Sequence, residues 1–85
     1  MAARTLTWMR AGPPLRFGEL TLVPVERARV SVTTAATRIH ADAAKAVAAI
    51  VIVSAGGARA VAPSGEPVEL APLIAEASGL RELLP

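Results

Sequence analysis

The chain of 85 residues has no cysteine and no tyrosine, and Trp8 and Phe17 are its only aromatic residues. Without cysteine, neither a disulfide nor a thiolate metal site can staple the fold, which excludes a disulfide-rich secreted module and a Cys-type zinc finger. With two aromatics there is little from which to build the base-stacking platforms of single-strand binders. Long apolar runs are missing too. The most apolar stretch, residues 46–55, is preceded by Lys45 and falls well short of the roughly 20 residues of a membrane-crossing helix. The first residues, Met1 to Trp8, carry one arginine and no apolar run suited to a signal peptide. The expectation is a cytoplasmic chain with no membrane span.

What is present is aliphatic. Hydrophobic residues make up 53% of the chain, but much of that share is alanine, which adds little buried area. The core must come from Val, Leu and Ile, and it will be thin. A chain of this size buries only about 60% of the surface its unfolded form exposes. Small scaffolds without staples often gain stability by oligomerising. High apolar content with a net charge of +2 also argues against wholesale disorder.

The charge is unevenly distributed. Residues 1–40 hold six arginines against Glu19 and Glu26, a balance of +4, whereas residues 41–85 hold Lys45, Arg59 and Arg81 against Asp42, Glu66, Glu69, Glu76 and Glu82, a balance of −2. A basic first half and an acidic second half can pair within one chain or between copies.

Alternation at residues 5–10, with Leu6 and Trp8 on one face and Thr5, Thr7 and Met9 on the other, predicts a strand. Gly12-Pro13-Pro14 breaks it. After a short extended piece at residues 15–17, Gly18-Glu19 reads as a hairpin turn. Residues 20–33 form the strongest strand signal, and its apolar phase shifts from Val23 and Val25 to Ala28, Val30 and Val32. Strand side chains have period two, so the shift predicts a bulge or bend near Pro24 and Glu26-Arg27. Pro24 predicts a sheet edge. Residues 34–45 carry competing signals: Ala and Lys favour helix, Asp42 suits a cap, and the threonines suit a hairpin or a mobile loop. Residues 47–54 predict a central strand buried on both faces, Gly56-Gly57 a turn, and residues 58–62 a returning strand. Pro63 to Pro67 is a second turn cluster. One helix follows, with Pro72 in its first turn and Gly79 as its stop. The predicted class is α+β: one domain over residues 1–85, a small, mostly antiparallel sheet of four or five strands, and one C-terminal helix.

Candidate chemistry is sparse. His40 is the only histidine; on a strand it would share a face with Asp42, as a base and its orienting carboxylate do. No serine sits in a recognisable nucleophile context, and two ligands fall short of a metal site. The expectation is therefore a non-enzyme without cofactor or metal. Arg27 and Arg29 share a strand face that Arg38 can extend into a polyanion-binding stripe, although Glu26 interrupts it. The Ala55-Gly56-Gly57-Ala58 turn lacks the spacing of a phosphate loop. For a contact surface the sequence nominates Val23, Val25, Leu80, Leu83 and Leu84, and for partners a homo-oligomer or a docked protein rather than nucleic acid.

One arrangement resembles a known family. Gly18-Glu19-Leu20-Thr21-Leu22-Val23-Pro24-Val25-Glu26-Arg27-Ala28 is similar to the opening block of the YtfJ or GerW spore-germination family. The second block, Val47-Ala48-Ala49-Ile50-Val51-Ile52-Val53 followed by Gly56-Gly57-Ala58-Arg59-Ala60-Val61, resembles that family's apolar strand and glycine hairpin. Residues 33–46 contain no glycine where the family has a glycine-rich middle, and Ala46 stands where it has proline. The resemblance implies a small non-enzymatic accessory protein, with no catalytic residues to carry over.

Overall fold

A computed structural model describes residues 2–85. In chain order it runs β1 (Ala2–Ala11), β2 (Leu15–Phe17), β3 (Leu20–Ala35), β4 (Arg38–Ser54), β5 (Gly57–Val61), β6 (Pro67–Val68), α1 (Leu70–Glu76), β7 (Ala77–Ser78) and a 3-10 turn at Arg81–Leu83. The strands form one sheet in the order β6-β5-β4-β3-β1-β7, with β2 also paired to β3. All pairs are antiparallel except β1 with β7. The sheet thus has seven strands among the described residues, more than the four or five expected. The surplus comes from the short β2, β6 and β7, whose two or three residues leave almost no period-two signal.

The β3–β4 hairpin is the long axis of a molecule measuring 56 × 25 × 22 Å. Its turn is Ala36-Thr37, so residues 34–45 resolve as hairpin rather than helix or loop. Asp42 caps nothing; it lies within β4 opposite Ser31. Cross-strand pairing with the β-branched residues of β3 outweighs the helix preference of alanine. The distal part of the hairpin, joined by β1, projects as a three-stranded arm.

A bulge does fall at this level, but not in the strand where the phase shift predicts it: β3 stays regular, so Val23 and Val25 lie on one face of the sheet and Ala28, Val30 and Val32 on the other. Val25 pairs with Ala49 and Glu26 with Val47, leaving Ala48 unpaired. The extra residue sits in β4, while β3 keeps an unbroken ladder with β1.

Pro24 is a correction to the edge reading. It stands in a central strand, opposite Ile50 of β4, and its carbonyl accepts the Gly12 N–H at 2.7 Å. In an antiparallel strand a residue's N–H and C=O point to the same side. The donor that Pro24 lacks would therefore face the Gly12-Pro13-Pro14 break between β1 and β2, where no ladder partner requires it.

The helix is shorter than expected. It ends at Glu76 rather than near Gly79, because Ala77 and Ser78 extend to pair with Met9 and Arg10. Gly79, at φ +83°, makes the turn that follows. Helix and tail cover one face of the sheet, called the front. There Val23, Val25, Ala49, Val51 and Ala60 pack beneath Leu73, Ala77 and Leu80. Three of these eight are alanine, so the core is as thin as the composition implies; each buried Val or Leu contributes about 1.5–3 kcal/mol. The 47–54 run is buried on one face only: Ala49 and Val51 are inside, while Ile50 and Ile52 on the opposite side are half-buried.

Candidate interaction surface

Register assigns every strand residue to a face. On the arm, Arg27, Arg29, Ser31, Thr33 and Ala35 of β3 lie opposite Ala46, Ala44, Asp42, His40 and Arg38 of β4. These belong to the front, as do Thr5, Thr7 and Met9 of β1. The front of the arm is polar. Thr5 and Ser31 hydroxyls meet at 3.3 Å, and an Arg27 Nη2 group donates to Met9 Sδ at 3.8 Å. An open groove beside α1 is lined by Thr7, Trp8, Met9, Arg27 and Glu76.

The back carries most of the exposed apolar side chains, interrupted by Arg4, Arg59 and the Arg10, Glu26 and Lys45 positions. At the base, Leu15 and Phe17 pair with Leu22 and Leu20, and Leu22 pairs in turn with Ile52. On the arm, Trp8–Ala28, Leu6–Val30 and Arg4–Val32 continue the surface, with Ala43, Ala41 and Ile39 completing it from β4. Seven of the nine exposed large apolar side chains lie here: Leu15, Phe17 and Leu20 at the base, and Leu6, Trp8, Ile39 and Val47 on the arm. Phe17 is 76% exposed and Ile39 77%. Nothing in the described chain covers this face.

One ionic group crosses the middle of the back. Glu26 on the central strand accepts from Lys45 Nζ at 3.0 Å and from Arg10 Nε at 3.5 Å. Its side chain is 14% exposed, whereas both cations are about half exposed. These pairs join Glu26 to a first-half arginine and to Lys45, so the ion pairs among the described residues do not link the basic half to the acidic tail. The arm also has open backbone edges: β5 pairs β4 only from Ile50 onward, and β7 pairs β1 only at Met9 and Arg10.

The nominated contact residues are redistributed. Val23, Val25 and Leu80 are 0% exposed, inside the core of a single chain. Pro24 had suggested an edge, but the three-stranded packing around it places its neighbours beneath α1. Leu84 packs partly buried against the core, and Leu83 remains 38% exposed. The exposed apolar positions are instead Leu6, Trp8, Leu15 and Phe17, whose common face emerges only once strand pairing is known. Arg27, Arg29 and Arg38 do share one face, together with His40 and Asp42. His40 is an exposed strand residue, and no three His, Asp or Glu side chains converge among the described residues. No helix among them is long and apolar enough to cross a membrane.

Comparison with family models, curated proteins and solved structures finds no match to this chain.

Proposed function

We propose that this chain is a non-enzymatic accessory or structural protein, cytoplasmic, that acts by self-association or by docking onto a partner. The observation that supports this is the apolar back of the sheet, open from Phe17 to Ile39. Folded monomers rarely leave contiguous apolar patches of more than a few hundred Å² exposed. The resemblance to YtfJ or GerW sporulation proteins belongs to the same proposal and agrees with a role without catalysis. The test is solution mass by light scattering across a concentration range at two salt concentrations. A defined oligomer supports self-association. A monomer at all concentrations removes it and leaves docking onto another protein.

A second reading draws on the front of the arm, where Arg27, Arg29 and Arg38 line up on one polar face. Such a stripe suits phosphates, and Asp42 on the same face offsets part of its charge. Titration with single-stranded and duplex nucleic acid at two salt concentrations tests it. Binding that weakens steeply with salt supports the stripe, and absence of any binding ends this reading.

A further inference from the structure

The self-association reading above can be taken further, because the back face has a polarity of size. On either side of Arg27, next to the Arg10–Glu26–Lys45 group, β3 extends by a similar length, Leu20 to Glu26 toward the base and Ala28 to Ala35 toward the arm tip. The base half presents bulky groups: Phe17, Leu22, Ile50 and Ile52. The arm half is low along β4, where Ala41 and Ala43 occupy the back, and at the start of β1, where Ala2 does.

We propose that a second copy of this chain covers the back face, sheet on sheet, with the arm of each copy over the base of the other. The two-fold axis runs across the strands at the level of Glu26 to Ala28. Such an interface is isologous, so a single surface patch must complement itself. Reflecting strand levels about that axis sets Ile50 over the other copy's Ala43, Ile52 over its Ala41 and Phe17 over its Ala2. Bulky side chains then meet alanines at both ends. The alternative of arm on arm stacks Leu15 on Ile52 and Leu22 on itself, so the bases overpack and the arms splay.

The area is sufficient. A patch about 54 Å long and about 14 Å wide, from the rise and spacing of three strands, amounts to about 800 Å², the per-partner area of a stable interface. Packed sheets keep their strands within about 30° of one another, which this arrangement allows. The ionic group is compatible with it. Lys45 rises from the open edge strand and Arg10 and Arg4 from β1, Arg4 at the level of the other copy's Leu15, so their stems can lie along the interface while the charged ends reach its flanks.

The experiment uses the full chain and its lack of cysteine. Wild type is followed by sedimentation over a concentration range, beside Leu6→Glu on the arm and Phe17→Glu at the base. Both positions are exposed, so the variants should keep the wild-type circular dichroism spectrum and melt cooperatively. Each should weaken dimerisation roughly 30-fold or more, the size expected when a well-packed apolar anchor is replaced by a charge. Single variants Ala43→Cys and Ile50→Cys, alone and mixed, are then treated with a short bis-maleimide, which spans the roughly 10 Å between packed sheets that a direct disulfide cannot. Mixed 43–50 cross-links with few 43–43 or 50–50 products support the arm-over-base dimer. Predominant 43–43 cross-links would show pairing of β4 edges, and a wild-type dimer indifferent to both glutamates would show another surface. Either result overturns this arrangement but preserves self-association. A wild type that stays monomeric overturns both.

Discussion

Ala36 is the one non-glycine residue among those described that holds a positive φ, at +46°. It is the first central residue of the β3–β4 turn, a place that a type II′ hairpin gives to glycine. An L side chain in the left-handed region costs about 1–2 kcal/mol, whereas glycine adopts it freely at some entropic expense in the unfolded chain. Ala36→Gly should therefore raise stability by about 1 kcal/mol, read as a higher urea midpoint with unchanged slope. An unchanged or lower midpoint would mean that the turn carries no strain. Leu80 is the opposite case. It is the largest fully buried side chain, and it caps a core of valines and alanines that has little else to fill a void. Leu80→Ala should cost about 2–5 kcal/mol. At roughly 4–8 °C per kcal/mol for a domain of this size, thermal melting would detect even the lower bound.

At the level of elements, the bulge separates what alternation can tell from what it cannot. The change of phase at Glu26-Arg27 is legible because valines mark both sides of it, but it records a switch of the apolar side from one face of β3 to the other, not a bulge in that strand. The bulge in β4 was not legible, because the run of alanines around Ala48 has no phase. The same blandness hid the length of β4 through residues 38–47 and left helix, loop and hairpin in competition. The turns at Gly18-Glu19 and before Gly57 were legible from glycine, and Gly57 at φ +125° uses that freedom. The two-residue β7 was hidden because nothing in Ala77-Ser78 distinguishes a helix end from a strand that joins β1. For the candidate surface, Leu6 and Trp8 were read as one face, but their continuity with Leu15 and Phe17 depends on both segments pairing with β3, which no local pattern encodes.

The bulge also makes a prediction. With Ala48 removed, Val25–Ala49 and Glu26–Val47 become successive rungs of a regular ladder, and every other residue keeps its face. Deletion of Ala48 should thus preserve the fold, lowering the melting temperature by less than Leu80→Ala does. Loss of cooperative melting would mean that the local kink itself is required. Stability should also differ along the hairpin. Val23, Val25 and Val51 lie in the core, while β4 from Arg38 to Lys45 is exposed. Under conditions that keep the chain monomeric, hydrogen exchange should be slowest at the core valines and fastest near the Ala36-Thr37 turn. Uniform protection along β4 would contradict a locally opening arm.

At the scale of the whole molecule, shape and surface lead to one further expectation. A single sheet 56 Å long with a helix on one face leaves the chain elongated and half-covered. Extending it end to end or edge to edge would leave the apolar back in water and would lengthen or widen the particle. Laying a second copy over the back, arm on base, adds a layer about 10 Å from the first, the usual spacing of packed sheets. The long dimension is then shared rather than doubled, because each arm ends above the other copy's base. Small-angle scattering of the dimer should accordingly give twice the monomer's mass with a long extent still near the monomer's 56 Å. The cross-section should thicken instead. On forming the dimer the polar fronts, with Arg27, Arg29, Arg38 and Asp42, remain on the outside, so salt should alter association less than it alters any polyanion binding there. A dimer whose long extent grows well beyond that of the monomer would place the contact at an end of the sheet and refute the overlaid arrangement.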